Sequence, residues 1–430
     1  MGKYRIAGNF ELIGAFWKPG QPDASFTGTL TSRKGRVQAL SSPLYTNKLG
    51  EEAVREEFKA LLSDRDLKRI PALQGFTNDN RCTLFNVLVL EGGGNTNFPT
   101  GQKLSALRYI AARTVMGLHL GAADEESLDS GSFYFTKFHH LLPTPWVAQM
   151  NSDSTSYSLP HQSKEVFKFT SVDIDAEVIC EVFTGGSLKA KKGASIKPIP
   201  RIRTIPKTPR SADWFTALAF RIENFISLFL GTSLSIKRIQ LFRGDEEGWV
   251  VQKINHREEK VSLQLWVRTT YAVMADALKS WLAVPVENRP VELTVLGMLR
   301  KSTLFDETEF LSLAQSLEGF GRIRFASGSK KKITYASLIE QTYDLLSVDF
   351  AKQLLGDRSE FVKKLVQTRN YYTHLGSPKG AAATQDGREL FLLNKRLQAF
   401  IRCVMLIDLG VPEQHLKEPI LYQSTRWRLS

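Results

Sequence analysis

Near the C-terminus of the chain, Arg369, Asn370 and His374 place a cation, an amide and an imidazole within two helical turns. Asn370 and His374 are four apart, so on a helix they share a face. Arg369 is rotated about 140° from His374, a gap its long side chain can span. Arginine presents a planar fork that matches phosphate and stays charged at any working pH. Histidine moves protons near neutrality, and a helix C-terminus favours its protonated form. Together they suit a phosphodiester. RNA carries its own nucleophile, the 2′-hydroxyl, so this chemistry calls for no metal and no cofactor. The same spacing also arises by chance, as a solvated arginine followed by a capping histidine, so the surrounding elements must decide.

Those elements read as helices. Phe361, Val362, Leu365 and Val366 recur at helical spacing, and Asp357 or Ser359 can cap the start. Gly376 and Pro378 are stop signals, which predicts a helix over 359–375. Phe310, Leu313, Leu317 and Phe320 form an apolar stripe on a helix over 306–322. Lys330, Lys331 and Lys332 follow in a Gly–Ser loop. Further helices are expected over 334–346, 389–409 and 412–422. A compact helical bundle results, where sites are built between facing helices.

Upstream, residues 4–252 read mainly as strands. Alternation over 10–17, ending at Pro19-Gly20, and over 26–30 and 36–40 predicts a half-buried hairpin region. Similar runs cover 84–90, 106–120, 132–138, 166–174, 176–183, 235–242, 249–254 and 261–267. Helices are expected over 51–66, 214–230, 271–282 and 291–299. The fold class is therefore α+β. An antiparallel, mainly β domain (sandwich or irregular barrel) spans 1–285, a connector 286–305, and an all-α bundle 306–430.

Three stretches tempt a functional reading. Gly92-Gly93-Gly94 lacks the Gly-Lys-Ser/Thr of a phosphate loop and reads as a tight loop between strands. His139 and His140, adjacent in a strand, would point to opposite faces and make a poor metal pair. Residues 189–210 hold many basic residues, and Pro198, Pro200, Pro206 and Pro209 oppose helix. This segment reads as a solvated loop or edge strand, with a phosphate-gripping arm as the sharper alternative.

The chain has 57 basic and 44 acidic residues, a net charge of +13, which favours a polyanionic partner without excluding a membrane surface. Cys82, Cys180 and Cys403 are far apart, form no metal-ligand pattern and read as reduced core thiols of a cytoplasmic protein. No apolar run is long enough to span a bilayer, and the N-terminus lacks an apolar signal core.

The Arg369-Asn370-x-x-x-His374 stretch at the end of a bundle helix resembles the Arg-x-x-x-x-His signature of HEPN ribonucleases. Residues 310–320 resemble the opening helix of the ApeA-like HEPN branch. Gly14-x-Phe16-Trp17 followed by Gly28-Thr29-Leu30, and the stretch 222–231, are similar to the ApeA N-terminal domain. The resemblance implies an anti-phage, abortive-infection protein. Its C-terminal HEPN domain would be a metal-independent RNase acting on RNA, tRNA included. It would be a homodimer through that domain, with the N-terminal domain receiving a phage-derived trigger. Arg369 would hold the scissile phosphate, His374 would act as general acid or base, and Asn370 would orient its neighbours. Glu318, on the opening helix, would approach the site. Lys330, Lys331, Lys332 and Tyr371 are candidate RNA contacts, against a packing role for Tyr371 and its neighbour Tyr372. The competing reading is a non-catalytic HEPN module for docking or dimerisation, with the β domain binding a phage component or nucleic acid.

Overall fold

The structure is a computed structural model that describes residues 10–33, 36–41, 69–77, 80–97, 103–142, 149–150, 157–158, 164–189, 193–251, 265–285, 297, 306–326, 333–374 and 387–425. The alternating N-terminal segments form antiparallel strands. They are β1 (Phe10–Trp17), β2 (Phe26–Arg33), β3 (Arg36–Ser41), β4 (Arg69–Thr77), β5 (Asn80–Asn97) and β6 (Lys103–Ala111). Their order is β5-β4-β1-β2-β3-β6, and β6 pairs back onto β5. The six strands therefore close a barrel, which removes free edges. Phe16, Phe26, Leu30, Leu84 and Tyr109 fill its core.

β5 serves two sheets. Residues 82–85 pair with β7 (Arg113–Met116), while residues 88–97 pair with β6. Between them Asn86 takes φ +50°, a left-handed conformation that asparagine tolerates better than most residues. From β7 an open sheet continues through β15 (Glu246–Val251), β14 (Ile236–Arg243), β8 (Ser130–Phe135), β13 (Gly193–Pro206), β12 (Ala176–Lys189) and β11 (Lys164–Ser171). A separate two-stranded ladder pairs β9 (Gln149–Met150) with β10 (Tyr157–Ser158).

Helix α1 (Ala212–Leu230) packs on this open sheet. The Ser211 hydroxyl accepts from the Trp214 N–H at its start, and Gly231, at φ +65°, ends it. Phe215, Ile222, Phe225, Ile226 and Phe229 are buried around most of its circumference. Helix α2 (Tyr271–Ala283) packs on β11 and anchors to α1, where the Trp281 indole N–H donates to the Arg221 carbonyl at 2.9 Å.

The bundle comprises α3 (Asp306–Gly321), α4 (Tyr335–Tyr343), α5 (Val348–Leu355), α6 (Arg358–Thr373), α7 (Gly387–Asp408) and α8 (Lys417–Thr425). One apolar core runs from the open sheet through α1 and α2 into the bundle. Arg402, on α7, crosses that seam fully buried. Its guanidinium donates to the carbonyls of Leu228 (2.5 Å), Phe229 (2.9 Å) and Leu265 (2.7 Å) and to the Gln423 side-chain oxygen (2.9 Å). Leu228 and Phe229 belong to the last turn of α1, whose carbonyls lack intrahelical partners and attract cations.

Several expectations change. The run over 106–120 breaks at Ala112 into β6 and β7. Gly92-Gly93-Gly94 lies inside β5, where the register against β6 shifts between Gly92 and Thr96, so the glycines serve a bulge rather than a tight loop. His139 and His140 lie in a 3-10 turn (Phe138–His140), so their rings sit side by side at 3.9 Å instead of on opposite strand faces. Leu265–Val267 is not strand; it packs against the end of α1, where the Val267 N–H donates to the Phe229 carbonyl.

Residues 193–206 are a strand rather than a solvated loop, and as far as Arg201 it is the expected edge strand, paired with β12 alone among the described residues. β13 pairs with β12 along its whole length and with β8 at Ile202–Thr204. Pro198 and Pro200 fall outside the β8-paired part, where a missing N–H is tolerated. Arg201 donates twice to Glu181, Lys207 pairs with Asp175 at 2.9 Å, and Arg210 lies near Glu126 and Asp175. These three cations are committed internally; the side chains of Lys189, Lys191, Lys192 and Lys197 lie outside the described residues.

In the bundle, α5 was not anticipated, α3 ends in a π turn (Arg322–Ala326), and the last expected helix splits into a short 3-10 turn and α8. The helices expected over 51–66 and 291–299, and the connector 286–305, lie outside the described residues, Gly297 apart. All three cysteines are free and buried, and burial pushes the Cys82 thiol up to about 12.

Candidate functional site

Helix α6 carries the site, and its own sequence fixes both ends. The Asp357 carboxylate accepts from the Ser359 and Glu360 N–H groups at 2.9 and 3.1 Å. This holds its carboxyl below the usual carboxylate range, the Glu360 N–H first. Phe361, Val362, Leu365 and Thr368 form the buried face. Phe361 packs edge-on to Phe400 of α7 at 5.9 Å, which fixes the rotation of α6 in the bundle. The helix ends at Thr373, and the His374 N–H closes the last turn onto the Asn370 carbonyl at 3.0 Å.

That rotation leaves Arg369 at the boundary of the core. Its side chain is 31% exposed and lies 3.6 Å from Glu318, which is 19% exposed on α3. The two carboxylate oxygens are divided. One faces Arg369, and the other accepts from Arg322 at 2.6 and 3.1 Å. Arg369 also donates to the Asn370 side-chain oxygen at 3.4 Å. Below it lies the ring of Tyr335, the first residue of α4, with the guanidinium carbon 5.4 Å from the ring centroid. Such a placement is attractive through the ring quadrupole.

Asn370 and His374 are exposed at the same helix end. The structure thus brings Arg369, Asn370 and Glu318 together and sets His374 on the adjoining surface. Tyr372 packs on Phe310 at 5.9 Å, and burial, followed by the charge of Glu307, raises its phenol. Tyr371 is half-buried, edge-on to Tyr372 at 5.0 Å. Lys330, Lys331 and Lys332 lie outside the described residues.

Sequence reasoning missed Arg322 and Tyr335. Arg322 had a readable signal, because it stands four residues after Glu318 on one helix. Tyr335 had none, since only the packing of α4 against α3 and α6 brings it under Arg369. Among the described residues, no three His, Cys, Asp or Glu side chains come together as a metal site would need, and no helix is long and apolar enough to cross a membrane.

An arginine about a third exposed and an exposed imidazole at the same helix end can hold an anionic phosphate and move protons at it. Two family models match the chain. The model for ApeA N-terminal domain 1 covers residues 11–271, more than half of its length, and the model for Apea-like HEPN domains covers residues 311–415. No curated protein and no solved structure matches it.

Proposed function

The chain belongs to the ApeA family and carries an Apea-like HEPN domain, and from that premise we propose that it is an anti-phage endoribonuclease whose site is the end of α6. A phosphodiester of RNA takes the place of Glu318 on Arg369, which then stabilises the extra charge of the transition state. The 2′-hydroxyl attacks the adjacent phosphorus. Its proton leaves to a base, the bond to the 5′-oxygen breaks, and that oxygen takes a proton from an acid. The products are a 2′,3′-cyclic phosphate and a 5′-hydroxyl. His374 supplies the acid–base group. Its exposure, with that of Asn370, leaves this helix end open to a second copy of the domain. In such a homodimer one His374 serves as base and the other as acid.

The mainly β region is the regulatory part, receiving a phage-derived trigger. Its hold on the bundle through Arg402 gives a rigid route between them. The observation that carries this reading is the arrangement around Arg369. A cation is oriented at a helix end by a carboxylate, an amide and an aromatic ring, and the same helix end exposes His374.

The test is expression of the wild type, Arg369→Ala and His374→Ala in cells at matched soluble levels, with and without phage. RNA fragments and protection confined to the wild type support the reading. Equal protection by all three with RNA intact contradicts it and leaves a binding protein in its place.

A further inference from the structure

The Tyr335 hydroxyl is buried and has no hydrogen-bond partner among the described residues. A buried donor left unmade is destabilising, so a native protein that keeps one has a use for it. Phenylalanine would give Arg369 the same aromatic seat without that penalty, so the seat alone does not explain the hydroxyl.

The neighbourhood suggests its use. Glu318 is shared between Arg322, at 2.6 Å, and Arg369, at 3.6 Å. The first contact is tight and charge-assisted. The second is longer than a hydrogen bond and is the one a phosphate would break. Breaking it strips the Glu318 oxygen that faces Arg369 of its cation while the carboxylate stays four-fifths buried. Such an oxygen needs a new donor. Tyr335 is close enough to feel both groups: its phenol is raised first by burial and then by the charge of Glu318, and Arg369 works in the opposite direction.

We propose that Tyr335 is the exchange partner of Glu318: when an RNA phosphate takes Arg369, the Tyr335 side chain shifts so that its hydroxyl donates to the carboxylate oxygen that Arg369 has left. This rests on the assignment of Arg369 as the phosphate-binding group. Tyr335 is thus a positioning residue whose hydroxyl is idle in the empty site and employed in the occupied one. It makes displacement of the ion pair cheaper and lets Glu318 stay in place, bound to Arg322. Because the hydroxyl serves substrate and transition state alike, its loss shows in KM rather than in kcat.

The experiment compares full-length wild type, Tyr335→Phe and Arg369→Ala by thermal melting and by steady-state cleavage of a short RNA. Tyr335→Phe keeps the ring and removes only the hydroxyl. The expected result is a melting temperature equal to or above that of the wild type, with KM raised about tenfold, a typical size for a hydrogen bond to a charged group. kcat should be unchanged. A residue that only packs would not raise KM while sparing stability. Wild-type kinetics for Tyr335→Phe, with Arg369→Ala inactive, would overturn the exchange and leave the ribonuclease site standing. A lower melting temperature in Tyr335→Phe would also overturn it, because the hydroxyl would then have a partner in the empty site. A wild type no more active than Arg369→Ala would overturn both.

Discussion

Arg369 and Arg402 sit on adjacent helices of one bundle, and they are built in opposite ways. Arg369 is a third exposed, shares a carboxylate with a second arginine, and rests on a tyrosine ring. Arg402 is fully buried, faces no carboxylate among the described residues, and spends its donors on three carbonyls and an amide. Burial pushes its guanidinium down to about 9, which still leaves it charged at neutral pH. A cation whose partners are neutral carbonyls is locked by geometry, and no solute can compete for it. A cation that only shares a carboxylate at the edge of the core can be claimed by a better anion. The kind of partner, more than the kind of side chain, separates the joint from the site.

The sharpest way to break this contrast is Arg402→Met. It keeps the bulk of the chain and removes four hydrogen bonds to buried acceptors, of which the Phe229 carbonyl retains the Val267 N–H; each bond is worth about 1 kcal/mol or more. We expect a loss of about 4 kcal/mol in global stability, read by chemical denaturation. A melt close to wild type would show that Arg402 is not the joint.

Next in size is Arg369→Lys. Lysine keeps the charge and loses the fork and the stacking on Tyr335. Cleavage should fall by about thirtyfold, or about 2 kcal/mol. Stability should move by less than about 1 kcal/mol, because the ion pair with Glu318 is partly exposed.

Gly231→Ala probes the joint from the other side. Gly231 is left-handed, and a Cβ there would come within 2.5 Å of the Arg402 guanidinium. The backbone term alone is about 1–2 kcal/mol, so the expected outcome is a lower melting temperature with unchanged kinetics per folded molecule.

The smallest effect concerns the start of α6. The Asp357 carboxyl is depressed by the backbone and side-chain groups it caps. A carboxyl whose folded value is lowered stabilises the fold above its unfolded value, and that help is lost as pH falls through the folded value. Asp357→Asn should lower stability slightly near neutrality, where that help is fully present, and flatten the acid-side decline in a pH–stability profile.

The two arginines also differ in how well they could be read from sequence. The candidate site around Arg369 could be placed because its parts are local: Asp357, Phe361, Leu365, Asn370 and His374 lie on one helix or cap it, so spacing set the cap, the buried face and the helix end that carries Arg369. Arg402 could be seen only as a charge inside an apolar run, with Phe400, Ile401, Cys403 and Val404 buried around it. Its partners come from the end of α1 and from Leu265, far away in the chain, and no local pattern names them. The same limit applies to the β region. Alternation marked β1 to the residue, yet the closure of β6 onto β5 is a long-range pairing that turn and strand signals do not encode. The prolines of β13 correctly opposed helix, but they could not announce that β12 would run beside them for fourteen residues. Glu318 came into view through a family resemblance, whereas Tyr335, brought in by tertiary packing, did not.

The measurement that tests the central claim most directly is cleavage of a short single-stranded RNA by purified wild type, Arg369→Ala and His374→Ala, with product ends identified by mass. The account predicts 2′,3′-cyclic phosphate ends from the wild type, a rate about 10²–10³-fold lower in each variant, and unchanged melting for all three. Equal rates in the three proteins, or fragments bearing 5′-phosphates, would contradict it.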